Sequence, residues 1–191
     1  VMQKLPPDVM RGEETQIAGF LHLNPSFDGI LCLPGTHTKW VRISEGLISA
    51  FRTTMTGEIF DCLTHHTVLR HSTAGDGWDD DAFATAIGDA ISRPERLATD
   101  LFSLRADSLL NATPPDVSRA RLSGTLIGIE LASVRSYWLG QSVTLIGAEQ
   151  LCGLYAKALA FQGVEVALSD GRKVTQAGLF AAFLSLKVPS A

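Results

Sequence analysis

The chain has 191 residues, 46% of them hydrophobic and 19% charged, which suits one sizeable buried core and excludes a disordered chain. A formal net charge of −4 with Lys and Arg scattered along the sequence excludes a broad nucleic-acid surface, although a local basic site for a phosphate stays open. Glu130, Arg135 and Lys157 interrupt the longest apolar stretches, so no run reaches the roughly 18 residues that cross a bilayer.

Residues 1–7, with Pro6-Pro7, read as a linker without the pattern of a signal peptide. Asp8 is placed to cap a helix over Val9–Leu23 that carries Glu13 and Glu14 in its early turns and stops at Asn24-Pro25. Three strands follow. Residues 29–33 are an apolar run, 39–43 alternate polar and apolar, and 47–52 follow the Glu45-Gly46 turn. Links this short favour antiparallel hairpins. The middle reads as helices over 56–66, 79–91, 94–110 and 118–138, a stretch too long and too apolar for a loop. A strand over 142–146, a helix over 148–162, a strand over 164–168 and a helix over 173–186 close the chain. That alternation implies parallel pairing with right-handed crossovers.

Three antiparallel strands, a helical block and two strand–helix units make an α/β protein in the order of a ribonuclease-H-like domain. This topology recurs in the actin-like ATPase superfamily, with hexokinase and Hsp70. Topology alone gives no function. Likeness to that superfamily, and not the element order itself, implies an interdomain helix over 1–24 at a cleft and a nucleotide-binding domain over 25–191 with a helical insertion at about 72–120. Cys32, Cys62 and Cys152 are odd in number, isolated and in apolar contexts, and read as reduced core residues of a cytoplasmic protein. His65, His66 and His71 come nearest to a metal set, but adjacent histidines on a helix point to different sides.

Three segments carry candidate chemistry. The first is Leu33-Pro34-Gly35-Thr36-His37-Thr38-Lys39-Trp40, a tight turn between two strands. Gly35 lets an anion approach the backbone, Thr36 and Thr38 offer hydroxyls, and Lys39 offers charge at an exposed tip. Successive N–H groups in such a turn form an anion-binding concavity; an ordinary hairpin tip is the plain alternative. The second is Asp8-Val9-Met10-Arg11-Gly12-Glu13-Glu14-Thr15-Gln16. Asp8 is either a cap or a general base, and Arg11 suits a carboxylate or phosphate. Gly12 inside a helix costs about 1 kcal/mol relative to Ala, which hints at close approach by something. The third is Leu145-Ile146-Gly147-Ala148-Glu149, a strand entering a helix through glycine, where N–H groups can face a nucleotide.

Together with Thr53-Thr54-Met55-Thr56-Gly57-Glu58, Leu101-Phe102-Ser103-Leu104-Arg105 and Leu126-Ile127-Gly128-Ile129-Glu130-Leu131, these segments resemble the 2-dehydro-3-deoxygalactonokinases over nearly the whole chain and in order. The resemblance implies transfer of the γ-phosphate of ATP to the 6-hydroxyl of 2-dehydro-3-deoxy-D-galactonate, with Mg2+ on the phosphates. It implies phosphate-loop roles for Gly35, Thr36, His37, Thr38 and Lys39, and adenosine contacts at Gly147, Ala148 and Glu149. Asp8 and Arg11 would be catalytic, and Arg11, Glu13 and Glu14 would meet substrate; no metal ligand is named. Partners would be the sugar acid and ATP, with neither nucleic acid nor membrane, and a homo-oligomer is left open. The family's early Asp-x-Gly-Thr-Thr motif is absent, since Asp28, Asp76 and Asp170 precede glycines followed by nothing similar. An N-terminal domain of roughly 100 residues is therefore expected outside this chain, which alone would be inactive. A non-catalytic nucleotide-binding module and a related kinase for another sugar acid are the alternatives.

Overall fold

The computed structural model describes residues 1–187. These fall into two compact units, one of residues 1–54, 136–156 and 164 onward, the other of residues 55–135 and 157–163. The first is built on a sheet and the second on helices.

The sheet unit opens with a small hairpin where the sequence suggests a linker. Strand β1 (Met2–Lys4) pairs antiparallel with β2 (Pro7–Val9), Gln3 standing opposite Asp8. Helix α1 spans Glu13–Leu23, so the helix expected from Val9 starts late and Asp8 does not cap it. The reason is Gly12, at φ 111 and ψ −44. That conformation suits glycine alone and interrupts the helix before Glu13. Gly12 is therefore the residue before the helix, where no interior propensity cost applies.

Strands β3 (Gly29–Leu33), β4 (Thr38–Ser44) and β5 (Leu47–Thr54) form the expected antiparallel meander, with a register shift between Arg42 and Ile43. Strand β6 (Val143–Gly147) lies parallel to β3, and β7 (Val166–Asp170) lies parallel to β6. The five-stranded order is β5-β4-β3-β6-β7. Helix α7 (Glu149–Ala160) connects β6 to β7, and α8 (Gly171–Lys187) follows β7 with no intervening loop. One sheet face contributes Leu31, Leu33, Val41, Ile43, Phe51 and Ile146 to a core completed by Met10, Ile17, Phe20 and Val174. Burial of such side chains contributes about 1.5–3 kcal/mol each.

Helices α1 and α8 cross at backbone contact. A Cβ on Gly19 would lie 1.8 Å from the carbonyl oxygen of Val174, and one on Gly178 would lie 2.0 Å from that of Thr15. Two glycines thus let the helices approach as closely as backbones can.

The helical unit holds α2 (Thr56–His66), α3 (Asp80–Ser92), α4 (Leu97–Leu110) and α5 (Pro115–Ser133). Asp79 caps α3 by accepting from the Ala82 N–H at 2.7 Å. Pro94–Arg96 form a 3-10 turn ahead of α4. The helix expected over 118–138 divides into α5 and the short α6 (Arg135–Trp138), which leads back to the sheet unit. Helix α2 matches the helix expected over 56–66. Leu69, Leu104, Leu122 and Leu126 form a core under Phe60, Leu63, Leu97 and Leu101. Helices α3 and α5 also meet through glycine. A Cβ on Gly124 would lie 2.5 Å from the Phe83 carbonyl oxygen, and one on Gly128 would lie 2.8 Å from the Ala90 Cβ.

Cys32 and Cys152 are buried, but Cys62 is exposed on α2, contrary to its reading as a core residue. Burial pushes the Cys152 thiol up from its ordinary value. His65 pairs with Asp61 at 3.0 Å. Among the described residues no group of His, Cys, Asp or Glu is arranged to hold a metal, and no helix is long and apolar enough to cross a membrane.

Candidate active site

Strands β3, β5, β6 and β7 all run one way, and β4 runs against them. Leu33, Thr54, Gly147 and Asp170 therefore leave the sheet at the same end, and the Pro34–His37 turn lies there too. In open α/β sheets this carboxyl end, beyond the strands, is where ligands bind. The three segments singled out in the sequence all converge on it.

Cys32 and Leu145 are partners in the parallel β3–β6 pairing, so the exits of these two strands lie side by side. Gly147 adopts φ 158, and a Cβ there would lie 3.4 Å from both the Cys152 Sγ and the Pro34 carbonyl oxygen. The contacts are ordinary van der Waals ones, so it is the backbone conformation that favours glycine where the β6–α7 joint packs on the turn. Ala148 and Glu149 stand exposed at the start of α7. The situation at Gly35 is the reverse. Its φ lies outside the left-handed region, and a Cβ there would meet nothing within 4 Å.

Within the turn segment the side chains divide. Thr36 and His37 are exposed, whereas Thr38 is fully buried and Lys39 is 4% exposed. Lys39 is thus not at an exposed tip. It is the second residue of β4, on the face shared with Val41 and Ile43, and its ammonium lies 3.5 Å from Glu13 Oε1. Glu13 covers the lysine and also accepts from the Arg11 N–H at 3.1 Å through Oε2. Glu14 Oε2 accepts from the Gly12 N–H at 2.6 Å. The two carboxylates occupy N–H groups that Gly12 leaves outside the helix, as capping side chains do. Arg11 projects from this knot and is exposed.

Asp8 has a different set of partners. Its Oδ2 accepts from the Thr53 N–H at 2.7 Å, and its Oδ1 accepts from the Thr53 hydroxyl and from the Val9 N–H, each at 2.7 Å. Thr53 stands directly opposite Lys39 in the β4–β5 pairing. Asp8, Thr53, Lys39 and Glu13 are therefore neighbours, although the sequence spreads them over 46 positions, from Asp8 to Thr53. Three charge-assisted bonds fix the Asp8 carboxylate as a tether between the hairpin and β5.

The structure adds two residues that sequence reasoning missed. Thr53 was noticed only within a longer motif, and its role emerges from the β5 register. Asp170 ends β7 and accepts from the N–H groups of Arg172 and Lys173 at 2.8 and 3.3 Å, capping α8 at the same end of the sheet. The signal available was Asp170-Gly171, which reads as a turn when the strand is placed two residues early. Tyr137 lies on the opposite sheet face, with Arg42 over its ring at 5.5 Å. Burial pushes its hydroxyl up, against the opposing pull of Arg52 and Arg42.

A mixed sheet that gathers the Pro34–His37 turn, a glycine joint and a lysine–carboxylate knot at its carboxyl end defines an α/β protein with its candidate site at that end. The model of the 2-keto-3-deoxy-galactonokinase family matches residues 1–182, and the chain belongs to that family. It is 44% identical over 184 residues to a Rhizobium meliloti (strain 1021) protein named as a 2-dehydro-3-deoxygalactonokinase, covering 92% of this chain and 59% of the relative. The Escherichia coli (strain K12) 2-dehydro-3-deoxygalactonokinase is 38% identical over 178 residues, covering 90% of this chain and 58% of the relative. A crystal structure of a Sinorhizobium meliloti protein carrying the same kinase name superposes with a TM-score of 0.89 at 40% identity, over 96% of this chain and 62% of that one. The chain thus spans about three-fifths of the length of these relatives.

Proposed function

We propose that this chain carries the nucleotide-binding side of a cytoplasmic kinase that transfers the γ-phosphate of ATP to the 6-hydroxyl of 2-dehydro-3-deoxy-D-galactonate. The strand order, with three antiparallel strands followed by two parallel ones, supports a ribonuclease-H-like domain of the actin-like ATPase superfamily. The observation that carries the functional reading is Gly35. Neither its φ nor its surroundings call for glycine, and a Cβ there would meet nothing within 4 Å, so the turn is open at this position. In this reading a phosphate uses that space to approach the turn.

In this reading Gly35, Thr36 and His37 face the phosphates, and Gly147, Ala148 and Glu149 border the adenosine. Lys39 and Thr38 support the turn from below, since both are buried. The exposed Arg11 takes the carboxylate of the sugar acid, for which a guanidinium fork is well shaped. The hydroxyl proton needs an acceptor within hydrogen-bond reach. Asp8 already holds three donors, and Glu13 is paired with Lys39. Glu14 carries one backbone N–H and is the carboxylate assigned to that role, which leaves Asp8 as the tether.

Mg2+ fits this donor set only as an ion held mainly by phosphate oxygens and water, because no cluster of protein ligands exists among the described residues. When bound, it neutralises charge on the transferred phosphoryl group. The chain's own residues orient the phosphates and the sugar acid.

The test is a coupled ATP-to-ADP assay with Mg2+, run on a polypeptide of the relatives' full length that contains this sequence. It compares 2-dehydro-3-deoxy-D-galactonate with 2-dehydro-3-deoxygluconate. Turnover that prefers the galactonate derivative is expected. No turnover with either acid overturns the reading, and a preference for the gluconate derivative overturns the assigned substrate.

A further inference from the structure

We infer that Tyr155 is a positioning residue for nucleotide binding, acting through Thr38. Tyr155 is 2% exposed on α7, and its hydroxyl lies 3.0 Å from the buried Thr38 Oγ1. A buried phenol keeps its hydroxyl paired. Thr38 Oγ1 in turn accepts from the Gly35 N–H at 3.5 Å, across the turn. One helical turn before Tyr155, Cys152 packs over Gly147. A single face of α7, through positions 152 and 155, therefore rests on both the Gly147 joint and the Gly35–Thr38 turn.

This arrangement has a chemical consequence. The Thr38 hydroxyl is turned inward and cannot serve as a phosphate ligand in this conformation. It holds the turn's shape, and Tyr155 holds it. Loss of the phenol oxygen leaves the Thr38 hydroxyl without that partner and frees the turn to move, so the amides meet phosphate less well aligned. The sugar-acid contacts assigned to Arg11 and Glu14 lie on α1 and its approach, away from α7, and are unaffected.

The inference rests on the reading of this turn as the phosphate loop. The test measures KM for ATP, KM for the sugar acid, kcat and Tm in the full-length kinase, for wild type, Tyr155→Phe, Thr38→Val and Thr38→Ser. For Tyr155→Phe and Thr38→Val the expected result is a KM for ATP raised about five- to tenfold, the scale of one lost hydrogen bond. The KM for sugar acid and kcat stay within about twofold of wild type and the Tm within a few degrees, and Thr38→Ser restores the wild-type KM for ATP. Tyr155→Phe with wild-type ATP dependence overturns the inference alone. Equal rises in both KM values with a fall in Tm also overturn it, because they mark a structural role. A wild-type protein with no saturable ATP dependence overturns the phosphate reading of the turn, and this inference with it.

Discussion

The two glycine-lined helix crossings use one device for two ends. In the sheet unit, Gly19 and Gly178 bring α1 and α8 to backbone contact; in the helical unit, Gly124 and Gly128 do the same for α5 against α3. Yet α1 begins with Arg11 to Glu14 and α8 begins at the Asp170 cap, so the first crossing sets where two parts of the site lie. The second crossing builds a core and touches no residue assigned to chemistry. Small residues at a helix interface are a packing solution in both cases, and only position in the fold places one of them beside the candidate site.

The strongest way to break the contrast is Gly178→Ala. Its Cβ would meet the Thr15 backbone oxygen at 2.0 Å, and backbone cannot yield as a side-chain tip can. A loss of about 3 kcal/mol or more is expected, roughly 10 °C in Tm, and, on the proposed kinase reading, a raised KM for both substrates in the full-length protein. Unchanged thermal melting would show that the crossing is looser than described. Lys39→Ala is next. It leaves Glu13 half-buried without its cation, and a loss of about 2 kcal/mol is expected. A denaturant midpoint equal to wild type would remove the ion pair from the account. Gly128→Ala, opposed at 2.8 Å by the Ala90 Cβ and 2.9 Å by the Ile87 carbonyl oxygen, should cost about 1–2 kcal/mol and leave both KM values alone. A kinetic change there would erase the distinction between the two crossings.

Asp8→Asn sharpens the comparison within the sheet unit. An amide keeps part of the bonding to Thr53 and Val9, so a loss of about 1 kcal/mol with kcat within about twofold is expected. A fall in kcat of about a hundredfold at unchanged Tm would return the general-base role to Asp8. The smallest effect concerns Asp107. Its hydrogen bond from Arg121, at 2.6 Å, holds its carboxyl below the usual carboxylate range, against partial desolvation. A depressed folded-state value stabilises above the unfolded value, near 3.9, and that contribution is lost as pH falls through the folded one. The pair is one-third exposed, so Asp107→Asn should flatten the acid limb of stability by only a few tenths of a kcal/mol. A stability difference between variant and wild type that is the same at pH 7 as at about pH 2 would sink this assignment.

The meander and the two strand–helix units were legible because alternation and apolar runs record local burial. Gly12 as a helix-interior residue and Asp8 as a helix cap were misplaced for a shared reason. A sequence window shows Asp before a helical pattern and suggests a cap, but the Thr53 N–H that takes the carboxylate is remote in sequence and adjacent only through the β5 register. Lys39 was misplaced similarly. A lysine beside a glycine turn reads as solvated, and its burial depends on Glu13 arriving from another element. The segments that meet at the carboxyl end of the sheet were legible in the sequence, and the partners of their side chains were not, since partners are set by tertiary contacts.

The hairpin at the start of the chain has a bearing on solution behaviour. Along β5, the N–H groups of Phe51 and Thr53 are taken by Gln3 Oε1 and Asp8 Oδ2, alternate rungs satisfied by side chains instead of a sixth strand. An outer strand with idle amides is a template on which other molecules can stack. Here two short side chains spend those amides, so this border of the sheet resists growth by strand addition. The hairpin thus acts as a guard against self-association, and losing it would expose the β5 border to aggregation.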